Sequence, residues 1–463
     1  GLVGSEMCIR DSVTGASYIG AVGNINSTVT NININNSSAT GVSYVGTLFG
    51  LSSGSTTTVN ASHINVTATG NYVGGIMGQG GVTYLKASNI RVINNNTSSN
   101  YTGGGIGHGP VYGSSITDTY VESKGSYVGI VNGYNSVTGT ISSNSEVIGK
   151  SYVGGISGLG YITNTSFSLN NKITATSYYA GGISGQINYQ TERVIVQNNE
   201  IKANIGAGGI AGYSDKPVYS SFVNASITST SDAGGIVGKS SGLASVYNNV
   251  VANSTITSGT NVGGVYGNLT KMIDIDVPSP PKNYKNLVVA QLNATDSNGI
   301  INNIVGNNEA YSKNINNTYI YEYNTMNDKR AYEIEDENVT YVKRDDLIKD
   351  TFYKKEIGIN SNWLFNKVSN GYFPKLNYFV SSQADIEIPD WSVTNFSLEN
   401  ENNVSMLSRS MMFRRSLKKN VSYHSLPEVY VYASDADKIN VEFSSADSYS
   451  YLSLIHISEP TRP

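Results

Sequence analysis

The sequence predicts an all-β fold: a right-handed parallel β-helix with a C-terminal cap and a smaller, less regular C-terminal segment. Three observations lead there. A phrase close to Tyr-Val-Gly-Gly-Ile-x-Gly is written ten times between Tyr18 and Gly267. Its first glycines, Gly20, Gly46, Gly74, Gly103, Gly129, Gly154, Gly181, Gly208, Gly234 and Gly263, fall 25 to 29 residues apart. A fixed period in this range marks a solenoid, in which one repeat cannot bury its apolar face alone and stacks on the next. Second, stretches such as His63-Ile64-Asn65-Val66-Thr67 and Asn89-Ile90-Arg91-Val92 alternate polar with β-branched residues, the mark of half-buried strands. Third, charged residues make up only 14%, against about 25% in typical soluble proteins. Asn, Ser, Thr, Gly and Tyr take their place.

In chain order, the first residues stand apart. Ser5 to Ser12 resembles a translated sequencing-adapter peptide, as does Ser453 to Pro463. Residues 1–12 and 453–463 are therefore set aside as foreign to the fold. Gly1-Leu2-Val3-Gly4 reads either as more of the same or as the tail of an earlier repeat.

Residues 13–275 are the repeats. Before many glycine pairs stands a second apolar element, at Val147, Ile173, Ile201, Ile227 and Ile256. Asn clusters such as Asn94-Asn95-Asn96 and Asn170-Asn171 supply turns, because Asn tolerates positive φ. A helical repeat is rejected: glycine pairs and β-branched runs both disfavour helices. Each repeat is then one coil, and coils stacked at about 4.8 Å make a rod of roughly 45–50 Å. The glycines are expected to serve tight corners and close coil-to-coil approach. The Ile or Val after the pair points inward, and the Tyr before it stacks in a ladder along one face.

Residues 276–378 read as irregular final coils and a cap. Asp276-Val277-Pro278-Ser279-Pro280-Pro281 is a stiff break. Asn286 to Ala290 and Asn302 to Asn307 read as further strands, and Asp346 to Tyr353 as a short helix. Aromatics then gather at Trp363, Phe365, Tyr372 and Phe373, next to Pro374, which suits a cap sealing the last coil. Residues 379–452 are a linker and the start of a following region, with a strand expected near Val429 to Phe443.

Composition narrows function. A formal net charge of −4 gives no global basic field for nucleic acid. No run of about 18 apolar residues offers a membrane span. The single cysteine, Cys8, allows no disulfide within the chain. Gly234-Gly235-Ile236-Val237-Gly238-Lys239-Ser240 mimics a phosphate loop, but no helical run follows to aim backbone N–H groups at a phosphate. His63, His108 and His424 have no His or Cys partner at metal-ligand spacing. The acidic run Glu333 to Glu337 lacks the alternation of a calcium loop and reads as a solvated face. The basic stretch from Ser405 to Asn420 reads as a linker. A polysaccharide-cleaving site needs paired carboxylates. Asp118, Glu122, Glu146, Glu192, Glu200, Asp215 and Asp232 do not recur at one repeat position.

The ten-fold phrase resembles the GLUG repeat of bacterial surface proteins. The repeats, followed by Ile304-Val305-Gly306 and then by Phe352-Tyr353, Trp363 and Gly371-Tyr372-Phe373-Pro374-Lys375-Leu376, are similar to the N-terminal region of immunoglobulin-A-cleaving zinc metallopeptidases of Gram-positive bacteria. Leu426 to Asp435 and Ile439 to Phe443 also resemble the segment after the repeats in that family. The resemblance spans Val13 to about Leu452. It implies a non-catalytic, extracellular rod at the bacterial surface, monomeric, that displays a peptidase and engages a host glycoprotein. Zinc is expected only in the full-length protein, at a His-Glu-x-x-His site further along. No catalytic, cofactor-binding or metal-binding residue is carried onto this chain. An adhesin-type surface rod without an enzyme is the alternative.

Overall fold

The computed structural model describes residues 7–391 except 23, 25, 99, 242–243, 271–282, 309–314, 317, 328, 332–338 and 360. It also describes the strands Val393–Glu399, Val404–Ser405, Tyr432–Ala433 and Asn440–Ser445. The stiff break, the acidic run, residues 406–420 of the basic stretch, His424 and residues 453–463 lie outside the described residues.

One coil shows the plan. Ser151–Gly154 carries the tyrosine, and Ser157–Asn164, Phe167–Leu169 and Lys172–Ala175 follow around the rod. Tyr179–Gly181 then lands on the starting strand, with Gly154 opposite Gly181 in parallel register. Parallel strands of eleven coils, from Ser17–Ile19 to Ile300–Asn302, make up the face that carries the repeated phrase. The other faces join into one large sheet. The glycines spaced in the sequence are partners in space: Gly103 with Gly129, Gly129 with Gly154, Gly181 with Gly208, and Gly234 with Gly263. The second apolar column is likewise in register, Val147 to Ile173 to Ile201 to Ile227 to Ile256.

Between the walls runs one apolar core. Ile76, Ile156, Ile183, Ile210, Ile236 and Val265, which follow the glycine pairs, and Val131, which follows Gly129-Ile130 in the matching place, are all fully buried, as the repeat requires. Corners are made by left-handed residues in columns. Asn36, His63, Asn89, Asp118, Asn144, Asn170 and Asn198 form one such column. The residue after the corner turns a small polar side chain inward to accept an N–H from the preceding coil. Thr119 N–H donates to Ser145 Oγ at 3.0 Å, Ser145 N–H to Asn171 Oδ1 at 2.9 Å, and Asn171 N–H to Asn199 Oδ1 at 2.9 Å. Buried corner amides are thereby paired rather than orphaned.

The ten motif glycines refine the expectation. None has a positive φ, so none makes a left-handed corner. What they provide is close approach. A Cβ on Gly154 would stand 2.0 Å from the Ser157 carbonyl oxygen and 2.6 Å from that of Ile183. The coil folds over itself here backbone against backbone, and only glycine leaves room.

Two placements differ from expectation. Met7–Ile9 and Ser12–Thr14, of which residues 7–12 were set apart from the fold, pair in parallel with Val29–Gly41 and extend the sheet by an edge. An exposed sheet edge accepts an added extended segment. The cap is also lateral rather than terminal. After Val339–Val342 come the helical turns Arg344–Leu347, Asp350–Phe352 and Tyr353–Ile357, then the antiparallel pair Trp363–Leu364 and Lys375–Leu376. This segment runs back along the flank. Phe352 meets Tyr319, Phe373 meets Phe222, and Phe379 meets Phe167, which lies four coils before Leu287. Gln197 exchanges hydrogen bonds with the Ala384 backbone at 2.9 and 3.0 Å. The cause is an apolar outer strip, Phe167, Ile195, Phe222, Val250 and Leu287, that would otherwise face water. Covering it closes a second core.

Candidate functional site: the tyrosine ridge

The tyrosines that precede the glycine pairs form one continuous ridge. Tyr18, Tyr44, Tyr72, Tyr101, Tyr127, Tyr152 and Tyr179 follow one another, ring centroids 4.6 to 5.5 Å apart. Parallel register places each ring over the last, because the strand spacing of about 4.8 Å is also a good offset-stacking distance. Beside it runs a second in-register column of Gln79, His108, Tyr134, Leu159, Gln186 and Tyr213. The His108 ring bridges from this column to the ridge, 5.6 Å from Tyr72 and Tyr101 and 5.1 Å from Tyr134. Burial there lowers its pKa.

Six of the seven ridge tyrosines, all but Tyr179, are left-handed, with φ of 54–64°. That conformation costs an L-residue with a bulky side chain about 1–2 kcal/mol. A stacked ring pair returns about 0.5–1.5 kcal/mol. The two terms nearly cancel, so the ridge adds little net stability over the Asn that fills the neighbouring corner column.

Some tyrosine hydroxyls on other parts of the rod are tied down: Tyr120 to Glu122 at 2.8 Å, Tyr213 to Asp215 at 2.6 Å, Tyr319 to Glu356 at 2.7 Å and Tyr266 to the Ala244 carbonyl at 2.9 Å. The seven ridge hydroxyls make no hydrogen bond to another described residue, and their rings are half-buried to exposed. Burial, reinforced by neighbouring phenols, raises the pKa of Tyr44, Tyr101 and Tyr127, and pushes Tyr179 up to about 12. A raised pKa keeps these four phenols protonated, and so able to donate, at physiological pH.

Past Tyr179 the ridge position is taken by Gly206, Asp232 and Asn261. Asp232 is buried. Its Oδ1 accepts from Asn261 Nδ2 at 2.7 Å and Asn268 Nδ2 at 3.1 Å, and Lys239 Nζ stands 3.9 Å from Oδ2. A carboxylate thus enters the ridge position itself only after the aromatic ladder stops.

The other residues singled out in the sequence fall elsewhere. The ten glycines lie at the inner end of the ridge strands and set its spacing. Trp363 is buried, and Phe365 and Pro374 are packed in or beside the lateral cap; Pro374 lines a small cleft with Ile195, Phe222 and Phe373. Tyr372 lies under Lys367, 6.0 Å from its ring centre. These cap residues are on a different wall from the ridge. Val237–Ser240, in the phosphate-loop mimic, is a strand. Among the described residues no three metal-ligating side chains converge, and no helix is long and apolar enough to cross a membrane. The sequence reading anticipated the ladder but not its left-handed backbone or its free hydroxyls. The signal was the run of Tyr at one corner, beside a corner column that is mostly Asn.

Comparison of the chain with protein-family profiles, with curated proteins and with solved structures finds no match.

Proposed function

We propose that this chain is the non-catalytic, glycoprotein-engaging rod of a secreted or surface-attached bacterial protein, of the kind that fronts immunoglobulin-A-cleaving zinc metallopeptidases. The observation that carries this reading is the ridge: a rigid, evenly stepped row of solvent-facing tyrosine hydroxyls that contributes little to stability. Such a row is suited to contact, since Tyr offers large, rigid, amphipathic area at low entropy cost. The sequence resemblance of residues 352–376 is what favours a peptidase front end over a bare adhesive rod. The residues that carry the closer resemblance, Phe352 to Leu376, are packed onto the coils as part of one second core. The zinc of such an enzyme belongs to a His-Glu-x-x-His segment, which this sequence does not contain.

The test uses the gene product encoded by the complete reading frame. Deleting residues 13–378 is expected to slow cleavage of intact immunoglobulin A while leaving cleavage of a short hinge peptide unchanged. Equal rates on both substrates with and without the rod would contradict substrate engagement. Binding to the glycoprotein with no cleavage of either substrate would favour the adhesin.

A further inference from the structure

We propose that the ridge from Tyr18 to Tyr179 is a binding track for an extended, uncharged oligosaccharide, one sugar to about one coil. This deepens the reading of the rod as a glycoprotein-engaging device and rests on it.

Three features of the ridge point to that ligand. The first is backbone strain. Six consecutive ridge tyrosines are held left-handed, where Asn would serve with less strain, and ring stacking no more than offsets the cost. Strained positions of this kind cluster at functional sites. The second is the chemistry presented. The ridge hydroxyls make no hydrogen bond to another described residue. Offset stacking at 4.6 to 5.5 Å leaves the outer part of each ring turned outward as a step. Hydroxyl donors and acceptors beside apolar ring edges match a sugar, whose faces are C–H and whose rim is hydroxyl. The third is the scarcity of charge. The companion column is Gln79, His108, Tyr134, Leu159 and Gln186, and the exposed charges next to the ridge strands are Lys124 and Lys150, just before Ser126–Gly129 and Ser151–Gly154.

Period and charge exclude the other linear polymers. An extended β-1,4-linked sugar chain advances by about one strand spacing per residue and turns alternate residues over, so it keeps step with the coils while every second sugar offers the ridge the same face. An extended peptide repeats its side chains every two residues, about 6.6–6.8 Å, and drifts out of phase with a step of about 4.8 Å. It also finds no free edge along the ridge, because the interior ridge strands are paired on both sides, and strand addition needs an open edge. A nucleic acid needs Lys or Arg to neutralise its phosphates. Because the rings are already stacked, binding freezes few rotamers.

The test is calorimetric titration of the full chain with cellohexaose and chitohexaose, with hexagalacturonate as the charged comparator. At least one neutral hexasaccharide is expected to bind. The triple variant Tyr101→Asn, Tyr127→Asn, Tyr152→Asn relieves strain at each corner and is expected to fold, checked by its thermal melt. Its affinity is expected to fall about tenfold or more, which is at least 1.4 kcal/mol. The double variant Tyr219→Asn, Tyr247→Asn removes a tyrosine stack on another wall and is expected to bind as the parent does. Failure of both neutral probes to bind, equal binding of hexagalacturonate, or an unchanged affinity in the triple variant would overturn the proposal. Pull-down of the host glycoprotein before and after enzymatic deglycosylation separates the two readings. Loss of binding on deglycosylation supports the track. Equal binding of both forms overturns the track and leaves the rod's engagement of protein standing. Binding of neither form overturns both.

Discussion

Gly154→Val is expected to unfold the centre of the rod. The first side-chain carbon alone would sit 2.0 Å from the Ser157 oxygen within the same coil and 2.6 Å from the Ile183 oxygen in the next. Both obstacles are backbone, so no rotamer change relieves them. The carbonyl of Ile183 also accepts the N–H of Ile156 at 2.9 Å and that of Ser157 at 3.0 Å. Moving it breaks pairing between two coils at once. Strain of this kind belongs with the exceptional substitutions, beyond roughly 4 kcal/mol. In a solenoid each coil is held only by its neighbours, so damage at one rung spreads along the axis. Urea denaturation followed by far-UV circular dichroism measures it. A midpoint within experimental error of the parent's would show that the glycine is not needed for close approach.

Trp363→Ala is expected to loosen the lateral cap while leaving the coils formed. Trp363 is buried among Tyr353, Val368, Phe373 and Leu376 in the second core, and its strand pairs with Lys375–Leu376. Truncating a buried Trp costs about 3–5 kcal/mol. Here the loss falls on the cap rather than on the rod, whose own core holds the inner faces of the coils. Phe167, Ile195, Phe222, Val250 and Leu287 then meet water as one strip. An exposed apolar strip of this length promotes association. The variant is expected to bind a fluorescent hydrophobic dye and to self-associate in sedimentation velocity, with its β-sheet signal retained. A monomer that binds no dye would contradict a cap whose role is to cover this wall.

The rod was legible in the sequence because its information repeats. The step from Gly154 to Gly181, and that from Ile173 to Ile201, are both one coil, and the fold places each pair opposite in register. Composition carried the absence of long helices. What was hidden depends on contacts between residues far apart in the chain. Phe379 reaches back to Phe167, and nothing local to either residue encodes that. One clue was present in Val250-Val251-Ala252 and Leu287-Val288-Val289-Ala290, where apolar runs break the alternation of a half-exposed strand. Continuous apolar strands are covered on both faces, so these two runs required something outside the rod. The corner tyrosines were harder. A left-handed tyrosine is rare enough that sequence patterns assign such corners to Asn or Gly, and only the stacked rungs reveal why Tyr is tolerated. The pairing of Met7–Ile9 with Val29–Gly41 was missed because those residues were judged by their resemblance and carry no alternation of their own.

The central claim is that one repeated phrase builds one straight, in-register rod with a tyrosine at each of its first seven steps. Spin labels at Ser43 and Ser231, placed in a Cys8→Ser background, test it most directly. The two sites flank the ridge and lie seven rungs apart through Val45, Val73, Thr102, Val128, Val153, Ala180, Ala207 and Ala233. At about 4.8 Å per rung the account predicts one narrow distance near 34 Å. A broad distribution, or a single distance far from that value, would contradict it.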